Sequence, residues 1–205
     1  MSQKSLAEQI WKINWQEYLP FQLSPSVSLQ SVSSDEGFAF IADYFPLIFE
    51  QESDHRFFET EGCKSSKNLY YKTVGDFFIF KDRDKPVGMA VGSLLDWSSY
   101  NFRNIAILPE YQGQKLYYTF FQWISSILAQ HGVKRIEGDI APSNTRHLQV
   151  VNSMGYIMTS MTLSERWGAL VHVTKYLDKS DEERFQELFC ITHLSDKKQK
   201  SQLAG

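Results

Sequence analysis

An α/β (α+β) fold is what the order of hydrophobic patterns along this chain predicts. Three observations predict it. Short apolar runs of strand length alternate with amphipathic helical segments, above all over residues 75–177. Glycine and proline punctuate most of the junctions between them. The length of 205 residues suits one well-filled core and leaves little room for a second full domain.

At the N-terminus, Leu6, Ile10 and Ile13 recur at helical spacing with Trp11 and Trp15 nearby, predicting a short amphipathic helix. Residues 1–24 are read as an arm packed on a domain of residues 25–178, and residues 179–205 as a C-terminal helix and solvated tail. Val27, Leu29 and Val32 predict a first strand. Ser34 with Asp35 is the expected cap of an aromatic-rich helix from Gly37 toward Phe49, with Pro46 kinking or shortening it. Residues 50–68 are polar and charged with Phe57 and Phe58 embedded, which predicts a loop or short helix over a pocket.

From Gly75 the pattern changes period. Asp76 to Phe80, the charged turn Lys81 to Lys85, and Pro86 to Leu95 read as a strand pair, and Phe102 to Leu108 as a third strand. After Pro109 and Gly113, Leu116, Phe120, Ile124, Ile127 and Leu128 mark a helix that ends at His131-Gly132. Val133 to Ala141 is the next strand, Asn144 to Met154 a helix closed by Gly155, and residues 156–177 two strands turning about Trp167-Gly168. Ser180-x-x-Glu183 predicts a capping box for a last helix.

Composition narrows the function. A net charge of −3 and a pI near 6.0 give no electrostatic reason to bind nucleic acid or an anionic membrane. No apolar stretch approaches the roughly 18 residues of a membrane span, and the first residues lack a signal-peptide pattern, so a cytoplasmic location is expected. Cys63 and Cys190 form no ligand spacing, and no histidine pair has metal spacing, so no metal is expected. Aromatic residues at 15% fit a filled core or an aromatic-lined pocket.

Chemistry is concentrated in Ile107-Leu108-Pro109-Glu110-Tyr111-Gln112-Gly113-Gln114-Lys115-Leu116-Tyr117, a strand end, a proline-initiated turn and a helix start. Such a turn aims backbone N–H groups and the positive end of a helix at one spot, as a pyrophosphate requires. Neither the dinucleotide-binding G-x-G-x-x-G nor the P-loop pattern is present.

This stretch resembles the GNAT acyltransferase motif V-x-P-x-[YF]-[RQ]-G-x-G-[LI]-[GA]. Asn144 through Tyr156 is similar to the family's N-x-x-A-x-x-L-Y-x-x-x-G-[FY] segment, in the right order after a helix and strand of the right length. The resemblance covers residues 75–177. It implies a mixed, mostly antiparallel sheet of six to seven strands with helices on both faces, split between the Phe102–Leu108 and Arg135–Ala141 strands. It also implies acetyl-CoA or a related thioester as co-substrate. Gln112, Gly113, Gln114, Lys115, Leu116 and Tyr117 would supply pyrophosphate amides, Ile107 backbone contacts to pantetheine and the acyl carbonyl, and Asn144 a contact to the pantetheine arm.

Lys115, Tyr117 and Val151 depart from the family pattern. Lys115 and Tyr117 replace small residues; Lys115 either adds a cation beside the pyrophosphate or points to solvent, and Tyr117 would join an aromatic core with Phe120 and Phe121. Val151 stands where many relatives carry the tyrosine that protonates the departing thiolate. Asp139 is the candidate general base for the amine, its alternative being an exposed strand-end residue. Glu137 is a poorer fallback, since it shares a face with Asp139 only in a regular strand. Asn101 and Arg103 cannot serve as bases, and His131 and His147 read as surface or packing residues.

The function expected is an N-acyltransferase, most simply an N-acetyltransferase. Its acceptor would be a small-molecule amine or a peptide N-terminus bound under Asp54 to Tyr71, and a homodimer is open as its assembly. The alternative is a GNAT-like acyl-CoA-binding or regulatory domain that has lost efficient chemistry.

Overall fold

Phe77, Phe78, Ile79 and Phe80 form a continuous apolar run, and all four side chains are buried, alternately on opposite faces of the sheet they help to build. The computed structural model describes residues 13–49, 61–96, 98–164 and 167–189. Eight strands make one sheet: β1 (Phe21–Gln22), β2 (Val27–Ser31), β3 (Asp76–Asp82), β4 (Lys85–Leu94), β5 (Ser99–Ile107), β6 (Arg135–Ile140), β7 (Ile157–Ser164) and β8 (Gly168–Tyr176). Their order is β1-β2-β3-β4-β5-β6-β8-β7, antiparallel throughout except for the parallel pair β5–β6. One strand more than expected is present because β1 has two residues, too few to show a period of two.

The helices are α1 (Ser34–Phe49), α2 (Glu61–Val74), α3 (Leu116–Gln130), α4 (Thr145–Ser153) and α5 (Lys179–Leu188). On one face, Leu116, Phe120, Phe121, Ile124, Ile127 and Leu128 of α3 and Val151 of α4 pack against Phe78, Phe80, Tyr100, Phe102, Ile136 and Ile140. On the other, Phe40 of α1 joins Phe77, Ile79, Met89, Val91 and Ala106, with Tyr71 of α2 against the same cluster.

Helix ends depart from expectation by one to three residues. Ser33 caps α1: its Oγ accepts from Glu36 N at 3.2 Å while Glu36 Oε2 accepts from Ser33 N at 3.0 Å, the reciprocal pair of a capping box. Pro46 falls in the last turn of α1 without ending it, and the helix runs on to Phe49. Asp178, and not Ser180, caps α5, accepting from Ser180 N at 2.8 Å. Helix α2 begins at Glu61, inside the segment expected to be a loop or short helix. The expected N-terminal helix before Ile13, the segment 50–60 and the tail from Ser195 lie outside the described residues.

Candidate active site

Strands β5 and β6 start side by side and then part. Their ladder joins Ser99 to Phe102 with Arg135 to Gly138 and stops there, although β5 runs on to Ile107 and β6 to Ile140. Arg103, just beyond the last rung, is an extra residue on β5, since Phe102 and Asn104 pair with the adjacent Gly92 and Val91 of β4. A bulge of this kind bends its strand. The split therefore opens toward the carboxyl ends of two parallel strands, where ligands sit in open α/β sheets.

Each prong of the fork feeds a helix. β5 leads through the 3₁₀ turn Pro109–Tyr111 to α3, and β6 through Pro142 to α4, so two positive helix ends face the same opening. The turn before α3 is tied by its own side chains: Gln112 Nε2 donates to Ile107 O at 3.0 Å and Gln114 Nε2 to Glu110 O at 3.2 Å. Gly113 has φ of +78°, and a Cβ there would meet no atom within 4 Å, so this side of the backbone is open. Lys115 also takes a left-handed conformation, φ 61°, and its side chain is exposed. A small residue in the family pattern at this position thus suits a backbone requirement as well as close approach.

Tyr117 in the first turn of α3 and His147 in the first turn of α4 meet. Tyr117 Oη lies 2.6 Å from His147 Nε2, and the Tyr117 ring is 4.6 Å from Phe121. Burial pushes the Tyr117 phenol up and the His147 imidazole down, so both groups stay neutral. Tyr117 joins Phe121 as the sequence suggested; the bond to His147 was not legible, because nothing in two separate helices announces their contact. Asn144 caps α4 with its Oδ1, which accepts from His147 N at 3.1 Å. Val151 is buried in the core beneath α4.

On the opposite face of the sheet, Arg135, Glu137 and Asp139 alternate along a regular β6, whose rungs with β8 are consecutive. Glu137 therefore does share a face with Asp139. Asp139 is the first β6 residue past the last β5 rung, and its register partner on β8 is His172. His172 Nδ1 is 2.9 Å from Asp139 Oδ1, and its Nε2 is 3.8 Å from Glu137 Oε2. Glu137 is itself held by Arg135 Nε, and Arg135 reaches Asp96 Oδ2 at 3.0 Å and Ser98 Oγ at 3.0 Å. The hydrogen bond to Asp139 raises the His172 pKa, with Glu137 adding to it and burial and Arg135 opposing. Asp139 is thus a partly exposed, hydrogen-bonded member of a cluster rather than an isolated strand end.

The site is thus a mixed sheet opened between two parallel strands, with a glycine-bearing turn after one prong and Asp139 just past the apex on the other. Residues 35–156, more than half of the chain, match the sequence model of the Acetyltransferase (GNAT) family, and the chain belongs to that family. Among solved structures, the fold is similar to the ribosomal-protein-S18-alanine N-acetyltransferase from Escherichia coli (TM-score 0.57, 15% identity, 74% of this chain and 94% of that one). It is similar as well to a spermidine/spermine N-acetyltransferase from Vibrio cholerae (0.56, 16%, 79% and 99%). A GNAT family acetyltransferase from Elizabethkingia anophelis with acetyl-CoA bound matches at a TM-score of 0.55 and 12% identity over 75% and 99%. No curated protein sequence matches the chain.

Among the described residues, no group of three or more His, Cys, Asp or Glu is placed to hold a metal ion, and no helix is long and apolar enough to cross a membrane.

Proposed function

We propose that this acetyltransferase moves an acetyl group from acetyl-CoA, or the acyl group of a related thioester, to the primary amine of a small molecule or a peptide N-terminus. The observation that carries the reading is the fork between β5 and β6, with the turn Gln112–Tyr117 at its mouth. The N-terminal amides of α3 have no acceptor within their helix, and the open side of Gly113 lets phosphate oxygens approach them. Ile107 backbone and Asn144 line the two prongs along which the pantetheine arm would run. Bound there, the thioester supplies a carbonyl carbon open to attack by an amine.

The amine approaches from the α1–α2 face, where Asp139 stands past the apex and Arg103 lies 5.8 Å over the ring of Tyr71. Amines are the acceptors named for two of the structural neighbours, spermidine or spermine and a protein alanine, and the carboxylates on this face suit a cationic nitrogen. Val151 leaves the departing thiolate without the family's tyrosine. A thiol of pKa near working pH leaves readily without a dedicated acid.

Calorimetric titration with CoA and acetyl-CoA tests the groove. Micromolar to sub-millimolar affinity is expected, and Gly113→Glu should lower it by about 10-fold or more, through repulsion at the phosphates and left-handed strain. Unaltered affinity in that variant would remove the turn from the site. Free-thiol release from acetyl-CoA over a panel of amines then tests the transfer itself.

One observation favours a second reading, a GNAT-like acyl-CoA-binding or regulatory domain with weak catalysis. The Tyr117–His147 bridge ties the first turns of α3 and α4 together at two positions where the family pattern has small residues. Binding of CoA with no thiol release for any amine would select this reading.

A further inference from the structure

We infer that His172 is the group that accepts the proton from the acceptor amine, and that Asp139 is the positioning residue that orients it. This rests on the acyl-transfer reading above and says which atom does the proton work.

Two hydrogen-bonding sites of the imidazole face two different environments. Nδ1 is held at 2.9 Å by Asp139 Oδ1, so in the neutral ring the proton resides there and the lone pair on Nε2. Nε2 has Glu137 Oε2 at 3.8 Å, beyond a hydrogen bond, and His172 keeps about a quarter of its side chain exposed. Glu137 is already engaged by Arg135 and buried, which makes it a fixed negative neighbour instead of a competing base. A proton arriving at Nε2 is welcomed by both carboxylates.

Charged groups facing His172 from β6 are Asp139, Glu137 and Arg135; from β7 it is flanked by Ser160, its register partner, and Thr159, both neutral. The carboxylates outnumber the guanidinium, so the balance favours the imidazolium and makes the neutral ring a stronger base. A base nearer the amine in pKa takes its proton more readily.

The step balances simply. Neutral His172 takes one proton from the ammonium at Nε2. The free amine forms its N–C bond to the acyl carbon as the C–S bond breaks. The second amine proton goes to the thiolate directly or through water, and the imidazolium returns its proton to solvent.

The alternative, Asp139 as base with His172 as bystander, differs in the pH profile of an Asp139 variant: removing the base would abolish the acidic limb, whereas removing a positioning residue shifts it. Asp139→Ala is preferable to Asp139→Asn, because an amide can donate to Nδ1 and pin the wrong tautomer. If His172 is the base, Asp139→Ala lowers its pKa, read by NMR titration of the imidazole. The acidic limb of the pH–rate profile, measured by thiol release with acetyl-CoA and the most active amine of the panel, spermidine and an alanine-terminated peptide among them, moves to lower pH by the same amount. His172→Gln loses ~100-fold or more in turnover and its acidic limb disappears, with acetyl-CoA affinity nearly unchanged.

An unshifted limb in Asp139→Ala, or a wild-type profile in His172→Gln, overturns the assignment of His172 alone. Should His172→Gln fail to fold, the Asp139→Ala limb and the NMR titration decide. No thiol release by the wild-type protein with any amine of the panel would overturn the acyl-transfer reading, and this inference with it.

Discussion

At His172 the charge state couples to stability as well as to chemistry. Its pKa is raised above the ordinary value of 6.5, first by the hydrogen bond to Asp139. A folded-state pKa above the unfolded one means that folding favours the protonated ring. That stabilisation is fully present below about pH 6.5 and is lost as pH rises through the higher folded value. The difference in melting temperature between the wild type and His172→Gln should therefore be largest near pH 6 and shrink as the solution becomes alkaline. A difference that grows with pH would contradict the ion pair. Asp139 was visible in the sequence as a carboxylate near the end of a strand. His172 was not, because it lies 33 residues further on and reaches Asp139 only through the β6–β8 register.

At the scale of elements, α3 was the most legible because its apolar residues recur at 3.6-residue spacing, and Leu116, Phe120, Ile124, Ile127 and Leu128 are all buried. Its caps and its neighbour were less so, since capping depends on local dihedral angles and helix contacts on packing. The link between α3 and α4 is the Tyr117–His147 hydrogen bond. Removing it with His147→Ala leaves the half-buried Tyr117 hydroxyl without that partner, at a cost of about 1 kcal/mol. The same change widens the mouth of the fork. The variant is expected to melt at a lower temperature yet bind CoA about 5-fold more tightly in calorimetry. Lower stability with unchanged affinity would place the bridge off the path of the cofactor.

Over the whole molecule, the aromatic residues serve mainly as core. Phe120 has ring centroids of Phe78, Phe80, Phe102, Phe121 and Trp123 within 5.3–6.2 Å and ties β3 and β5 to α3. Phe120→Ala should destabilise the protein by about 3–5 kcal/mol, lowering the melting temperature by ~10 °C, since a cavity in a sheet–helix core closes only in part. A drop of only a degree or two would mean that the core repacks. Two levels of information meet in this chain. Periodicity, turn residues and the two motifs from Ile107 to Tyr117 and Asn144 to Tyr156 determined the strand and helix order and, through family resemblance, the fork. These are local properties, written in side-chain spacing along a contiguous stretch. The tertiary structure alone decided that Arg135, Glu137 and Asp139 would meet His172 on one face, and that Tyr117 would cross to His147. Those contacts join residues about 30 or more positions apart through strand register and helix docking, and no short-range pattern encodes which distant side chain will stand opposite.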